Sequence, residues 1–502
     1  MGVIQRQVFK NNLLSFVGIA IGAVTNVFIF PQDPALKGYA DTVLRAAMLF
    51  APICLLGLPL VIIHFYPYLK GSTETAVAKL LARTLAIGGG IVASMVLTNY
   101  LLGDMVFVAL AERGVSIEKL QSSSWIVIGL VAALMGTAVI NTVLSIYRRI
   151  AIPVLFNNVF LKIALPAIFL FSVYGHLDRG GFAWALVVIY LLSLFGLTVY
   201  GKTIGALNLK WGKLELESRS VKEMFSVAGF SILGTLGSVF AIYLDTLFVN
   251  FYLGDTPTGY YGFAVFAVSL MMVPHKAMVT IATPIITEKF KADEMSEISN
   301  LYQDSARTLF IIGAFILAGL VICLPTLYQL TPKLQQYSVG YTATIFLALG
   351  VLTDQITSIN GQLIGFSRYF RIGPVFTLIL GGINVVLNYL FIGKLGYGLM
   401  GAAMATALSL TIYNVIKSGF VYWKFRLHPF TISNLYTLLL GSFAIFTGLL
   451  IPDVGVVFVD LVLKAGWIVL CFGLLIMATS AAPVLKSAIT GKVREVFDRF
   501  RG

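Results

Sequence analysis

The sequence predicts an all-α integral membrane protein of about 14 transmembrane helices, built as two six-helix lobes related by a parallel repeat plus two extra C-terminal helices. Three observations predict it. Of the 502 residues, 58% are hydrophobic and only 11% charged, whereas soluble domains carry about 25% charge. Apolar runs long enough to cross a bilayer, about 20 residues, recur along the whole length: 11–30, 41–66, 85–109, 125–147, 152–174, 182–200, 224–251, 260–286, 308–330, 341–365, 374–392, 400–421, 433–451 and 457–480. The basic residues also alternate. With both termini in the cytoplasm, 24 of the 35 Lys and Arg fall in cytoplasmic segments, 6 in outer loops and 5 inside spans. Lys and Arg collect on the cytoplasmic side, and one missed span would scramble that bias.

The same features exclude other classes. The net charge of +13 is topological, so no nucleic-acid partner is expected. Cys54, Cys323 and Cys471 lie in apolar runs without metal or disulfide spacing. His64, His176, His275 and His428 show no ligand spacing either, so neither metal nor cofactor is expected. Gly196, Gly201, Lys202 and Thr203 match the phosphate-binding loop pattern. That loop works between a strand and a helix. Here it runs through span six, so Lys202 reads as a topology charge and no ATP site is expected. Arg6 and Lys10 before an apolar run resemble a signal peptide. With no small-residue cleavage site before Pro31, the run reads as an uncleaved first span.

An internal repeat organises the chain. The turns Gly175–Gly180 and Gly393–Gly398 both read G-x-L-x-x-G and both lead into Ala-rich helix starts, 218 residues apart. The offset places span one on span seven. The expected divisions are an N-terminal lobe over 1–200, a cytoplasmic linker over 201–223, a C-terminal lobe over 224–425, two further spans over 426–482 and a basic cytoplasmic tail over 483–502. The connections 201–223 and 287–307 are the longest, and both are polar. Parallel repeats of this kind place a substrate site between the halves.

The candidate site residues are polar groups inside apolar runs, where charge is costly and usually faces a cavity. Arg45, Lys162 and Lys276 lie at staggered depths, about 6 Å below the outer boundary, 16 Å above the inner one and 24 Å below the outer one. Such cations suit a phosphate or pyrophosphate that crosses the membrane. Lys417 and Lys464 lie near span ends and are expected to snorkel to headgroups. Asp354 heads a polar patch with Gln355, Ser358, Asn360 and Gln362, and Asn157 and Asn158 lie in span five. Asp245 is level with Arg45, so the two are expected to form an outer-gate pair, while His275 is a candidate for protonation. Pro153 and Pro166 in span five, and Pro274 and Pro284 in span eight, are expected to bend those helices. Gly18 and Gly22 form a close-packing GxxxG.

An ordered set of motifs carries a family resemblance. It begins with Leu244, Asp245 and Thr246, then Tyr252, Leu253 and Gly254, then Gly259, Tyr260 and Tyr261, with Val273–Pro274 and Thr283, Pro284 and Ile285 following. A second block holds Asn384 and Asn388, Gly393 to Gly396, and the small-residue run 401–409. With these the chain resembles the polysaccharide transporter branch of the multidrug/oligosaccharidyl-lipid/polysaccharide (MOP) superfamily. The N-terminal half matches mainly in span layout. The resemblance implies a non-enzymatic flippase of the bacterial inner membrane. It would move an undecaprenyl-pyrophosphate-linked oligosaccharide, of O-antigen or lipopolysaccharide type, to the periplasmic leaflet by alternating access. Arg45, Lys162 and Lys276 would attract the pyrophosphate, and Asn157, Asn158, Asp354, Asn360 and Gln362 would line the polar cavity. Asp245 and His275 would serve gating or coupling to H+ or Na+. Membrane lipids and a polysaccharide polymerase are the implied partners. Many members have twelve spans; the related lipid II flippases have fourteen, which keeps that substrate open. An ion-coupled multidrug exporter is a second alternative, although it should favour carboxylates over cations. A membrane polymerase or ligase is a third. It would usually carry a sizeable catalytic outer loop, but the longest here, 110–124, has no His or Cys.

Overall fold

The computed structural model describes residues 3–68, 72–111, 117–149, 151–213 and 221–478. The basic tail over 483–502 and the 214–220 part of the linker therefore lie outside the described residues. The chain is 87% helical, with no strands among the described residues. It divides into two compact units, Met1–Gly259 and Tyr260–Gly502.

The first unit holds α1 (Val3–Val24), α2 (Pro34–Cys54), α3 (Leu58–Phe65), α4 (Thr73–Ala111), α5 (Ile117–Ile146), α6 (Ala151–Val154), α7 (Leu161–Val173), α8 (Arg179–Thr203) and α9 (Val221–Leu253). Its core joins Val43 and Ala47 of α2, Leu130 and Val131 of α5, and Leu186 of α8. Span two does not run straight through 41–66. It starts early, at Pro34, where the Asp33 carboxylate accepts from Leu36 N at 2.9 Å. It then bends by 46° between α2 and α3. The cause is local: Pro52 lies in the last turn of α2, and Leu56 and Gly57 adopt positive φ, 50° and 71°. A methyl built on Gly57 would lie 2.7 Å from the Ala228 carbonyl oxygen of α9. Glycine is thus required both for conformation and for contact. Span five is interrupted by π-helical backbone, Leu155–Phe160, between α6 and α7. The residues matching the phosphate-binding loop lie within α8. A methyl on Gly196 would meet the Phe156 ring at 2.2 Å, so this glycine serves helix packing.

α10 (Asp255–Ser269) leads into the second unit, which continues with α11 (Met272–Lys291), α12 (Met295–Tyr328), α13 (Pro332–Gln335), α14 (Tyr341–Thr357), α15 (Asn360–Gly365), α16 (Gly373–Asn388), α17 (Gly398–Phe425), α18 (Ile432–Leu449) and α19 (Val457–Ala478). Span eight is the bent pair α10–α11, at 44°. The break falls at Leu270–Met271, which leaves Pro274 in the first turn of α11, where a missing N–H costs no hydrogen bond. The polar connection 287–307 is mostly helix; only 292–294 turn, with Asp293 at φ 57°. The last two helices pack on α12, where Ala314, Ala318 and Ile322 meet Ala444, Ile468 and Phe472. Lys464 does not snorkel: its Nζ donates to Thr326 Oγ1 at 2.8 Å and to Asp453 Oδ1 at 2.6 Å.

Among the described residues, 11 helices are long and apolar enough to cross a membrane, or 13 if each bent pair is one span. The 33-residue α9 corresponds to the remaining expected segment. Substituting Gly57→Ala should destabilise the chain by about 1–2 kcal/mol from the left-handed backbone alone. The Ala228 contact adds to this, and thermal unfolding of the purified variant measures it. A loss confined to the backbone penalty would show that α9 yields at this contact, and an unchanged midpoint would show that glycine is needed for neither.

Candidate functional site

The polar groups of the second unit gather where two helices are broken. The gap between α10 and α11 leaves backbone groups without helical partners. Gln355, buried in the last turn of α14, donates its Nε2 to the Met271 carbonyl at 2.7 Å. α14 itself ends two residues later, at Thr357. Ser358 takes φ 48° and ψ −112°, and its N–H donates back to the carbonyls of Asp354 (2.9 Å) and Gln355 (3.2 Å). Two interrupted spans thus face one another through a side chain that completes the backbone of the other.

Charge lies beside that junction. Asp354 Oδ2 is 3.8 Å from His275 Nε2. The Asp354 charge also acts on Lys417 and Tyr413 of α17. The Lys417 ammonium lies 4.1 Å from the Tyr413 ring centroid, and the residue is only 6% exposed. A methyl on Gly361 would lie 3.8 Å from that ammonium, so Lys417 reaches beneath the start of α15. Asn360, fully buried, donates Nδ2 to Ser418 Oγ at 3.3 Å. His275 Nδ1, Gln355 Oε1, Ser358 Oγ, Asn360 Oδ1 and both amide atoms of Asn414 are buried with no hydrogen-bond partner among the described residues. Buried polar atoms normally find partners, so this concentration marks a polar site. Gln362 is half-buried on α15, and Lys276 is exposed. Adjacent residues on a helix do not share a face, which is why His275 meets Asp354 and Lys276 does not.

In the first unit, Arg45 is half-buried on α2, its guanidinium carbon 5.4 Å from the Tyr243 ring centroid on α9. Asp245 is buried two residues further on. Arg45 therefore reaches α9, but it makes no ion pair among the described residues. Lys162 is half-buried in the first turn of α7, and its ammonium would lie 3.5 Å from a methyl on Gly18 of α1. The GxxxG glycine thus makes room for a charge as well as a helix. Asn157 and Asn158 occupy the π-helical stretch and line a cavity of about 340 Å³ with Asn141, Ser145, Arg149, Pro153 and Val154.

This architecture has counterparts. The lipid II flippase MurJ in its inward-closed conformation is similar over 93% of this chain and 98% of that one, with a TM-score of 0.69 at 15% identity. An inward-facing multidrug-resistance MATE transporter of the MOP superfamily is similar over 85% of this chain and 95% of that one, with a TM-score of 0.62 at 14% identity. The chain has the fold of the MOP transporters. No protein-family model matches it. Two curated proteins are similar in sequence. The uncharacterized membrane protein EpsK of Bacillus subtilis is 26% identical over 40% of this chain and 40% of its own. The probable low-salt glycan biosynthesis flippase Agl15 of Haloferax volcanii is 22% identical over 44% of this chain and 48% of its own. These matches span less than half the length of either relative. The MOP resemblance read from the sequence is borne out by this set, which joins flippases and transporters.

Within this MOP fold, the roles of two residues named from the sequence, Lys417 and Gln355, differ from or exceed their sequence reading. Lys417 lies four residues from the end of the apolar run at 421, but α17 continues to Phe425. The ammonium is therefore about 12 Å from the helix end, too deep for the expected snorkelling. The signal was Tyr413, one turn earlier on the same face. Gln355 matters because a neighbouring helix breaks, which its own segment does not reveal. Removing one member of a buried charged set costs about 3–5 kcal/mol. Lys417→Met alone should approach that loss, and adding Asp354→Asn should recover part of it. Chemical unfolding of both variants measures the coupling, and strictly additive losses would show that the two side chains are independent.

Proposed function

We propose that this chain is a flippase that moves a lipid-linked oligosaccharide, carried on undecaprenyl pyrophosphate, from the cytoplasmic to the periplasmic leaflet for surface polysaccharide synthesis. The observation that carries the reading lies in the first unit. An Asn-lined cavity at a π-helical interruption has Arg149 in its wall, and the same unit holds two further cations inside spans, Arg45 on α2 and Lys162 on α7. Cations attract a pyrophosphate, and Arg binds its oxygens bidentately. Asn amides donate to and accept from sugar hydroxyls. Lys276, exposed on α11 of the second unit, adds a further charge along the route. The glycan-flippase name of one relative supports the same substrate class. The relatives and neighbours bearing functional names are flippases and transporters, which fits a non-enzyme.

The second unit supplies the coupling device in this reading. Asp354 faces His275 on one side and the field of Lys417 on the other. Discontinuous helices commonly hold coupling ions at their breaks. A proton or Na+ arriving at Asp354 competes with Lys417 for the carboxylate and loosens the junction held by Gln355. The chain would sit in the cytoplasmic membrane with both termini inside, passing product to a polymerase outside.

Reconstituted vesicles loaded with labelled lipid-linked oligosaccharide test this. Arg45→Ala, Lys162→Ala and Lys276→Ala should each slow translocation by about tenfold or more, as expected for losing a charge-assisted hydrogen bond. Normal transport by all three variants would overturn the cationic route. Equal or faster movement of lipid II, or of a cationic drug, would reassign the substrate.

A further inference from the structure

A second cavity lies in the second unit, away from the polar site, at the end where α11, α12 and α17 meet the turn after α15. It encloses about 600 Å³, and its lining includes Lys291, Arg368, Lys424, Asp293, Phe290 and Phe425. The three cations come from three separate places in the chain: Lys291 ends α11, Arg368 lies in the turn after α15, and Lys424 is in the last turn of α17. Neighbouring charges are neutralised: Lys289 pairs with Glu294 and Arg307 with Asp304. Lys291, Arg368 and Lys424 have no carboxylate partner among the described residues. Asp293 also lines the cavity, which leaves a local excess of two positive charges.

The floor is firm. Phe425 packs its ring against Phe290 at 5.6 Å and against Tyr369 at 5.8 Å between centroids. Two of the cations, Lys424 and Arg368, rest on rings rather than on acids. The Lys424 ammonium is 3.4 Å from the Trp423 centroid, and the Arg368 guanidinium carbon is 5.0 Å from that of Tyr369. Trp423 and Tyr422 themselves are 64% and 51% exposed. Exposed Trp and Tyr mark the headgroup level of a membrane, and the charge bias assigns this end of the helices to the cytoplasm. A basic pocket between helices on that side suits an anionic lipid headgroup. The leaflet's own negative lipids are the source that lies at that depth.

We propose that this cavity binds the phosphodiester headgroup of an anionic bilayer lipid, with Lys291, Arg368 and Lys424 as its ligands. The site is separate from the substrate route and leaves it unchanged.

The test uses the full chain in nanodiscs of phosphatidylcholine containing a minority of phosphatidylglycerol. Lipid retained by the purified protein is counted by native mass spectrometry. The wild-type chain should keep phosphatidylglycerol in preference to phosphatidylcholine. The triple variant Lys291→Gln, Arg368→Gln, Lys424→Gln should lose that preference by about tenfold or more. The pair Lys333→Gln and Lys394→Gln, at the opposite end, should keep it. If the triple variant fails to fold, Arg368→Gln alone gives the reading, with Arg368→Lys expected to restore part of the preference. No preference in the wild type, or an unchanged one in the folded variants, overturns the site. Displacement of phosphatidylglycerol by inorganic pyrophosphate overturns the lipid assignment in favour of a free phosphate anion.

Discussion

The hydrogen bond from Gln355 to the Met271 carbonyl is the constraint around which the second unit is arranged. Without water, a backbone carbonyl at membrane depth must find a protein partner. A helix can therefore break inside the bilayer only where another element completes it. The α10–α11 break is completed from α14, and α14 then ends within one turn. Each interruption is tolerable because the other lies opposite. The junction also explains the position of the charges. His275 is on the first turn of α11 and Asp354 on the last turn of α14, so the two meet because the breaks meet. Changing the junction moves the charges, and changing the charges loads the junction. Such mutual dependence is what a coupling site needs, because an ion acts on an equilibrium only through contacts that differ between states.

The first unit solves its polar problem differently. In span five the interruption is a π-helical stretch rather than a break like that of span two, so the backbone stays bonded while the register shifts by one residue. Asn157 and Asn158 fall within the shifted turns, where they line a cavity together with Asn141 and Ser145 of α5. Gly18 of α1 and Gly196 of α8 allow close approach on either side of this segment. The polar surface is thus bordered by packed helices, the arrangement that holds side chains for recognition.

The architecture was legible from composition, span count and charge alternation, because a bilayer restricts the chain to helices of known length. The motifs from Leu244 to Ile285 pointed to the MOP fold for the same segment in which α9 and the bent α10–α11 pair occur. The bends were only partly legible. Pro274 predicted a kink in span eight, but the break lies ahead of it, since proline is best placed in a first turn. The span-two bend needed Gly57, and glycines are too frequent here (47 residues) to single one out. Among site residues, depth arithmetic identified Arg45, Asp354 and His275 as polar groups within spans. It could not pair them, because pairing depends on helix rotation and on neighbours. Arg45 reached the correct helix at about the expected height, yet its partner there is the Tyr243 ring.

Lys417 and Lys464 show why apolar-run boundaries mislead most for lysine. Both were placed near the ends of their runs, and both are buried. Lys464 also lies about two turns inside its helix, but its ammonium is taken up by Asp453 and Thr326 before it can reach headgroups. Its role is to fasten α19 to α12 and to the turn after α18. Lys417 lies two turns inside its helix, against an aromatic ring and in the field of Asp354. A lysine fixed by short hydrogen bonds to a carboxylate and a hydroxyl is a clamp. One held by a ring, with a nearby carboxylate shared by an imidazole, is not saturated by any single partner. The same residue type at similar sequence depth thus serves fastening in one place and responsiveness in the other, and the difference lies in how completely the protein satisfies the charge.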